Sequence, residues 1–87
     1  MRAMRTHRVK STEIRAIGYD GEGELLWVQY RGRPGGHLYR DVPRHVFDDI
    51  MQASPIDAYA NYVLKNYHCE YRTEPPRPPI SNPAERL

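Results

Sequence analysis

From Glu13 the chain alternates with a period of two, Ile14, Ala16 and Gly18 falling on one side and Arg15, Ile17 and Tyr19 on the other. Such alternation predicts a strand with two unlike faces. Asp20-Gly21-Glu22-Gly23 then supplies the acid-plus-glycine chemistry of a tight turn, and beyond it Leu26, Val28 and Tyr30 alternate with Leu25, Trp27 and Gln29. The two segments predict a hairpin. Arg31 to Gly36 reads as a glycine-rich loop, after which Leu38, Arg40 and Val42 alternate with His37, Tyr39 and Asp41 in a third strand. At Pro43 the period becomes helical. Proline suits a first helical position, and Val46, Phe47, Ile50 and Met51 form an apolar stripe with Arg44, Asp48 and Asp49 turned to water. This helix should end near Ala53. Ser54-Pro55-Ile56-Asp57 offers an N-cap serine, a proline and an early acid, so a second helix follows, with Ala60, Val63, Leu64 and Tyr67 on its apolar face and Tyr59 at its edge. It should fray by His68.

The expected fold class is α+β: a three-stranded antiparallel meander followed by two helices packed on one face, with a disordered Pro-rich C-terminal tail. The expected organisation is a basic N-terminal arm over residues 1–10, the α+β domain over 11–72 and the tail over 73–87. Leu26, Val28, Tyr30, Leu38 and Val42 should lie under the helices, leaving Trp27 and Tyr39 with Arg15, Arg31 or Arg33 nearer an open sheet face. Pro75, Pro76, Pro78, Pro79 and Pro83 make the tail too poor in apolar bulk to offset its ordering cost. Its Pro-Pro-Arg-Pro-Pro run suits both a polyproline II ligand and a passive end.

Length and charge narrow the picture. A chain of 87 residues makes one domain with a thin core, since at this size only about 60% of the unfolded surface is buried. The single cysteine, Cys69, excludes an internal disulfide, and no apolar run reaches membrane-spanning length, so a cytoplasmic domain without membrane association is expected. Thirteen Lys and Arg against eleven Asp and Glu leave only +2. Their distribution says more. Arg2, Arg5, Arg8 and Lys10 crowd the first ten residues without one acid, whereas Asp20, Glu22 and Glu24 crowd a single turn. Most of the cations are arginine, whose planar fork binds phosphate bidentately and stacks on rings; a GC-rich genome gives the same composition.

Several fragments together resemble the KTSC domain, a short module found at the C-terminus of some lysyl-tRNA synthetases and alone in bacteria and their phages. They are Ile14 to Asp20 (IRAIGYD), Leu26 to Tyr30 (LWVQY), Tyr39 to Pro43 (YRDVP), Ala53-Ser54, Asn61 and Leu64 to Tyr67 (LKNY), and they cover Lys10 to Tyr71. Two positions depart from the family pattern. His37-Leu38-Tyr39 stands for a central Tyr-x-Tyr, and Ile56 stands for the glycine that follows the Ala-Ser pair. The resemblance implies RNA binding as the family's suggested activity.

The residues themselves contain what a single strand needs, cations for phosphates and ring faces for bases. The candidate nucleic-acid-binding residues are Trp27, Arg31, Arg33, His37, Tyr39, Arg40 and Arg44, with Arg5, Arg8 and Lys10 from the basic arm. The same tyrosines also suit half-buried strand packing. A different expectation is a protein-interaction module, such as a phage-encoded accessory protein acting on a host protein, and a free sheet edge would allow a homodimer. Neither an enzyme nor a cofactor is expected. His68-Cys69 lacks the spaced ligands of a metal site, His37 and Asp41 sit roughly 13 Å apart along a strand, and His45 with Asp49 reads as a solvated helical pair.

Overall fold

The computed structural model describes residues 5–74. The elements run β1 (Arg5–Arg8), β2 (Ile14–Asp20), β3 (Leu25–Tyr30), β4 (Gly36–Tyr39), α1 (Arg44–Gln52), α2 (Ile56–Leu64) and β5 (Cys69–Arg72). All five strands form one antiparallel sheet in the order β1-β2-β3-β4-β5, with both helices inserted before the last strand. The α+β class and meander hold, but with five strands instead of three. β1 lies within the expected basic arm, and β5 follows the second helix, which was expected to be the last element of the domain. Both are edge strands of mostly polar residues, RTHR and CEYR. Their stability comes from backbone pairing with β2 and β4, which leaves little hydrophobic alternation to read. Most of the expected Pro-rich tail lies outside the described residues.

One core joins sheet and helices: Ile14, Ile17, Leu26, Val28 and Val42 pack with Ile50 of α1 and with Ala60 and Leu64 of α2. Ile14 and Ile17 share that core because a β-bulge between Ile14 and Ala16 shifts the register by one residue. The strict alternation expected for β2 is therefore broken. A bulge re-aims side chains locally, and here it leaves Arg15 exposed.

The face assignment in β4 is reversed from expectation. Leu26 pairs with Tyr39 and Trp27 with Leu38, and directly opposed residues share a face. Tyr39 thus packs against the helix-side core, while Leu38 joins Trp27 outside it. Val42 still reaches the core because Asp41 adopts φ 62 and Val42 N donates to Glu24 O at 2.9 Å, so the chain turns after β4 instead of continuing its alternation. Trp27 is 0% exposed. Its ring lies over Gly36, where an added Cβ would stand 2.9 Å from the indole and 2.6 Å from Val28 O, and its cross-strand partner on β2 is Gly18.

Both helices begin one residue later than predicted. Pro43 and Pro55 occupy the N-cap positions in extended conformations, ψ 156 and 144, and no side chain caps either helix. Ser54 is therefore not the cap. Asp57 sits in the first turn of α2, where the helix dipole favours an acid, and its Oδ2 accepts a hydrogen bond from Thr12 Oγ1 at 2.9 Å. That bond ties α2 to the β1–β2 connection.

Candidate functional site: a basic end of the sheet

In an antiparallel meander the end of one strand neighbours the start of the next. The end of β1, the start of β2, the end of β3, the start of β4 and the end of β5 therefore lie together. This end carries Arg8, Lys10, Arg15, Arg31, Arg33 and Arg72, whereas Asp20, Glu22, Glu24 and Asp41 flank the other. Seven residues of β2 separate them, about 20 Å at roughly 3.3 Å per residue. Glu13 and Glu74 also stand at the first end and Arg44 at the second, so the segregation hidden by a net charge of +2 is partial.

Arg8, Arg15 and Arg31, with Val9 and Gly32, line a hollow of about 320 Å³. None of the lining residues is acidic. The walls are fixed by backbone bonds: Val9 N donates to Arg15 O at 3.2 Å and Arg31 N to Glu13 O at 2.8 Å. Ser11 Oγ accepts from the amides of Glu13 and Ile14, at 3.2 and 3.1 Å, and so shapes the turn entering β2. Arg31 Nε donates to Ser11 O at 2.9 Å, which positions its guanidinium at the hollow without using the terminal nitrogens. Neither Arg8 nor Arg15 has an ion-pair partner among the described residues.

Rings gather beside this end. His37 stands between Tyr30 and Tyr71, with centroids 5.3 and 5.8 Å away and edge-to-face geometry. Tyr71 is half-exposed, and its hydroxyl donates to Pro34 O in the loop that carries Arg31 and Arg33. Burial raises the phenol pKa of Tyr30, and raises that of Tyr39 further, where a charge on Tyr30 would oppose ionisation. Both rings pack against the core. His37 Nδ1 and Trp27 Nε1 are buried without a hydrogen-bond partner.

The expected site residues therefore divide. Arg8 and Arg31 meet in the hollow; Lys10 and Arg33 are exposed at the same end, and His37 lies among the rings beside it. Trp27 and Tyr39 do not form an open platform, because one is sealed and the other faces the helices. Arg40 pairs with Glu70 at 3.3 Å, and Arg72 binds the same carboxylate at 2.8 Å. This holds the Glu70 pKa below the usual glutamate value, the Arg72 hydrogen bond being the larger cause and Arg40 the next. Arg44 pairs with Asp48 along α1 at 3.2 Å. Arg5 opposes Tyr19, toward the acidic end. Arg15 and Tyr71 were missing from the candidate set. Cys69 and Tyr71 alternate with Glu70 and Arg72 too briefly to announce a strand, and nothing in the sequence announced the bulge that frees Arg15.

The architecture defines a small α+β module in which a five-stranded antiparallel meander shares one core with two helices. Residues 10–68 match the KTSC domain family model, and the chain belongs to that family. A KTSC domain protein from Yersinia pestis, known from its crystal structure, superposes with a TM-score of 0.76 at 30% identity, over 80% of this chain and 99% of that one. A protein of Tsukamurella paurometabola is 35% identical over 57 residues, 66% of this chain and 84% of its own length. An uncharacterized protein of Stutzerimonas stutzeri is 31% identical over 70 residues, 78% and 94% of the two chains. Among the described residues no helix is long and apolar enough to cross a membrane.

Proposed function

We propose that this domain is a non-catalytic cytoplasmic module that binds single-stranded nucleic acid, RNA foremost, through the basic end of its sheet. The observation that carries the reading is the convergence of Arg8, Arg15 and Arg31 on one hollow without an acid in its lining. Guanidinium groups neutralise phosphates and release counterions, and a neighbouring ring face stacks an unpaired base for about 1–3 kcal/mol. Tyr71 supplies that face, beside Arg33, in place of Trp27 and Tyr39.

Fluorescence anisotropy with a labelled single-stranded RNA tests the reading, comparing the intact domain with Arg8→Gln/Arg15→Gln and Tyr71→Ala variants. Binding should weaken at least tenfold in the double arginine variant and severalfold in the tyrosine variant. RNA should leave Trp27 emission unquenched, because a sealed indole does not stack on bases. Equal affinity in all three proteins refutes the interface.

A protein partner is the second reading, favoured by a groove of about 610 Å³ between the helices, where Tyr59, Tyr62 and Pro55 stand with Asp49. Tyr62, 69% exposed, is the most exposed large hydrophobic side chain described. Substituting it should leave RNA affinity unchanged and abolish capture of the partner.

A further inference from the structure

The hollow at the basic end differs from an ordinary cationic surface in two respects. Three arginines from three segments, the end of β1, the bulge of β2 and the loop after β3, converge on one cavity instead of lining a track. One of them is also braced beforehand, since Arg31 spends its Nε–H on Ser11 O. A phosphodiester inside a strand offers one negative charge and two non-bridging oxygens. A phosphate monoester offers about −1.5 to −2 at neutral pH and three terminal oxygens. Three planar forks match the second better, because three terminal oxygens offer each fork acceptors and the larger negative charge offsets more of the +3 carried by the arginines.

The floor supports the same assignment. Val9 and Gly32 bring no acceptor side chain to compete for the guanidinium groups, and the space where a Gly32 Cβ would stand has no atom within 4 Å. The loop at Gly32, held at φ 77, therefore leaves one side of the cavity open. Beyond the hollow, the same loop carries Arg33 and, through Pro34, meets the half-exposed Tyr71 ring. For the nucleotides that follow a phosphate seated on the three arginines, Arg33 stands on the same loop as Arg31, and the Tyr71 ring lies two strands beyond β3 at the same end of the sheet.

We propose that the Arg8–Arg15–Arg31 hollow is a terminal-phosphate site, so that the module recognises the phosphorylated end of a single strand in preference to its interior. This rests on the nucleic-acid reading above and goes further by naming the chemical group that is held.

Anisotropy with one short RNA in three forms, bearing a 5′-phosphate, a 3′-phosphate or only hydroxyl ends, tests it. One phosphorylated form should bind about tenfold more tightly than the hydroxyl form, and which one identifies the end. Millimolar inorganic phosphate should erase that advantage while sparing the weaker binding of the hydroxyl strand. Arg15→Gln should erase it too, with Trp27 emission confirming that the variant is folded, and Arg15→Lys should restore only part of it. Equal affinity for all three strands overturns the terminal-phosphate site and leaves the broader interface standing. No measurable affinity for any strand overturns both, even if inorganic phosphate alone binds.

Discussion

Removing charge at the basic end should alter how binding depends on salt, by an amount that follows from counting cations. Arg8, Lys10, Arg15, Arg31 and Arg33 are exposed there, outside the ion pairs that engage Arg40, Arg44 and Arg72. If each neutralises one phosphate of a single strand, the slope of log affinity against log salt is about −0.7 for each, or near −3.5 for all five. Between about 50 and 200 mM salt that slope weakens binding roughly 100-fold. A variant carrying Arg8→Gln, Arg15→Gln and Arg33→Gln retains two of the five, so its slope falls to about −1.4 and its loss over the same range to roughly sevenfold. None of the three side chains makes a hydrogen bond or ion pair that is resolved here, so the triple change should cost little stability. The assay is a salt titration of RNA affinity, with Arg44→Gln as the control because Arg44 is paired along α1. An unchanged slope in the triple variant, or an equal drop in the control, would refute the assignment of the interface to this end.

Other expectations concern stability. Gly36→Ala should destabilise the domain by about 1–3 kcal/mol, since its Cβ would press on Val28 O and the sealed indole, and the melting temperature should drop by at least about 4–8 °C. An unaltered melt would contradict the tight seat of Trp27. Glu70, with its pKa lowered in the fold, contributes stability above the ordinary glutamate value of 4.5, and that contribution is lost as the pH falls through the lowered value. Glu70→Gln should therefore flatten the acid limb of a pH–stability curve, and an identical limb would rule the network out. Tyr30 and Tyr39 behave oppositely. Their raised values mean a contribution intact below pH 10 that erodes as the pH climbs toward the folded values, so ultraviolet titration should show both phenols ionising late, together with unfolding. Early, fully reversible ionisation of every tyrosine would speak against their burial.

What could be read from the chain was whatever buries a periodic face. The central hairpin and both helices announce themselves because Leu26, Val28, Ile50, Ala60 and Leu64 recur at the spacing their elements impose. The edge strands did not, since RTHR and CEYR need their backbone partners more than an apolar face. Face errors arose where local geometry interrupts the period. The bulge at Ile14 to Ala16 brings Ile17 to the core face, and the left-handed Asp41 lets Val42 reach the core although the β3–β4 register puts Tyr39, not Leu38, on that face. Half of the candidate surface was legible as a density of arginine. Which arginines meet depended on strand order and on partners such as Glu70 and Asp48, and these emerge only once distant segments are paired.

Among the described residues Arg8, Lys10, Arg15, Arg31 and Arg33 stand beyond one end of the strands and Asp20, Glu22, Glu24 and Asp41 beyond the other, a lengthwise imbalance that Glu13 at the first end and Arg44 at the second only partly offset. Near any polyanion the molecule experiences a torque as well as a pull, and it rotates its arginine-bearing pole forward before contact is made. Association should then be faster than a sphere of charge +2 would allow, and the approach pre-aligned.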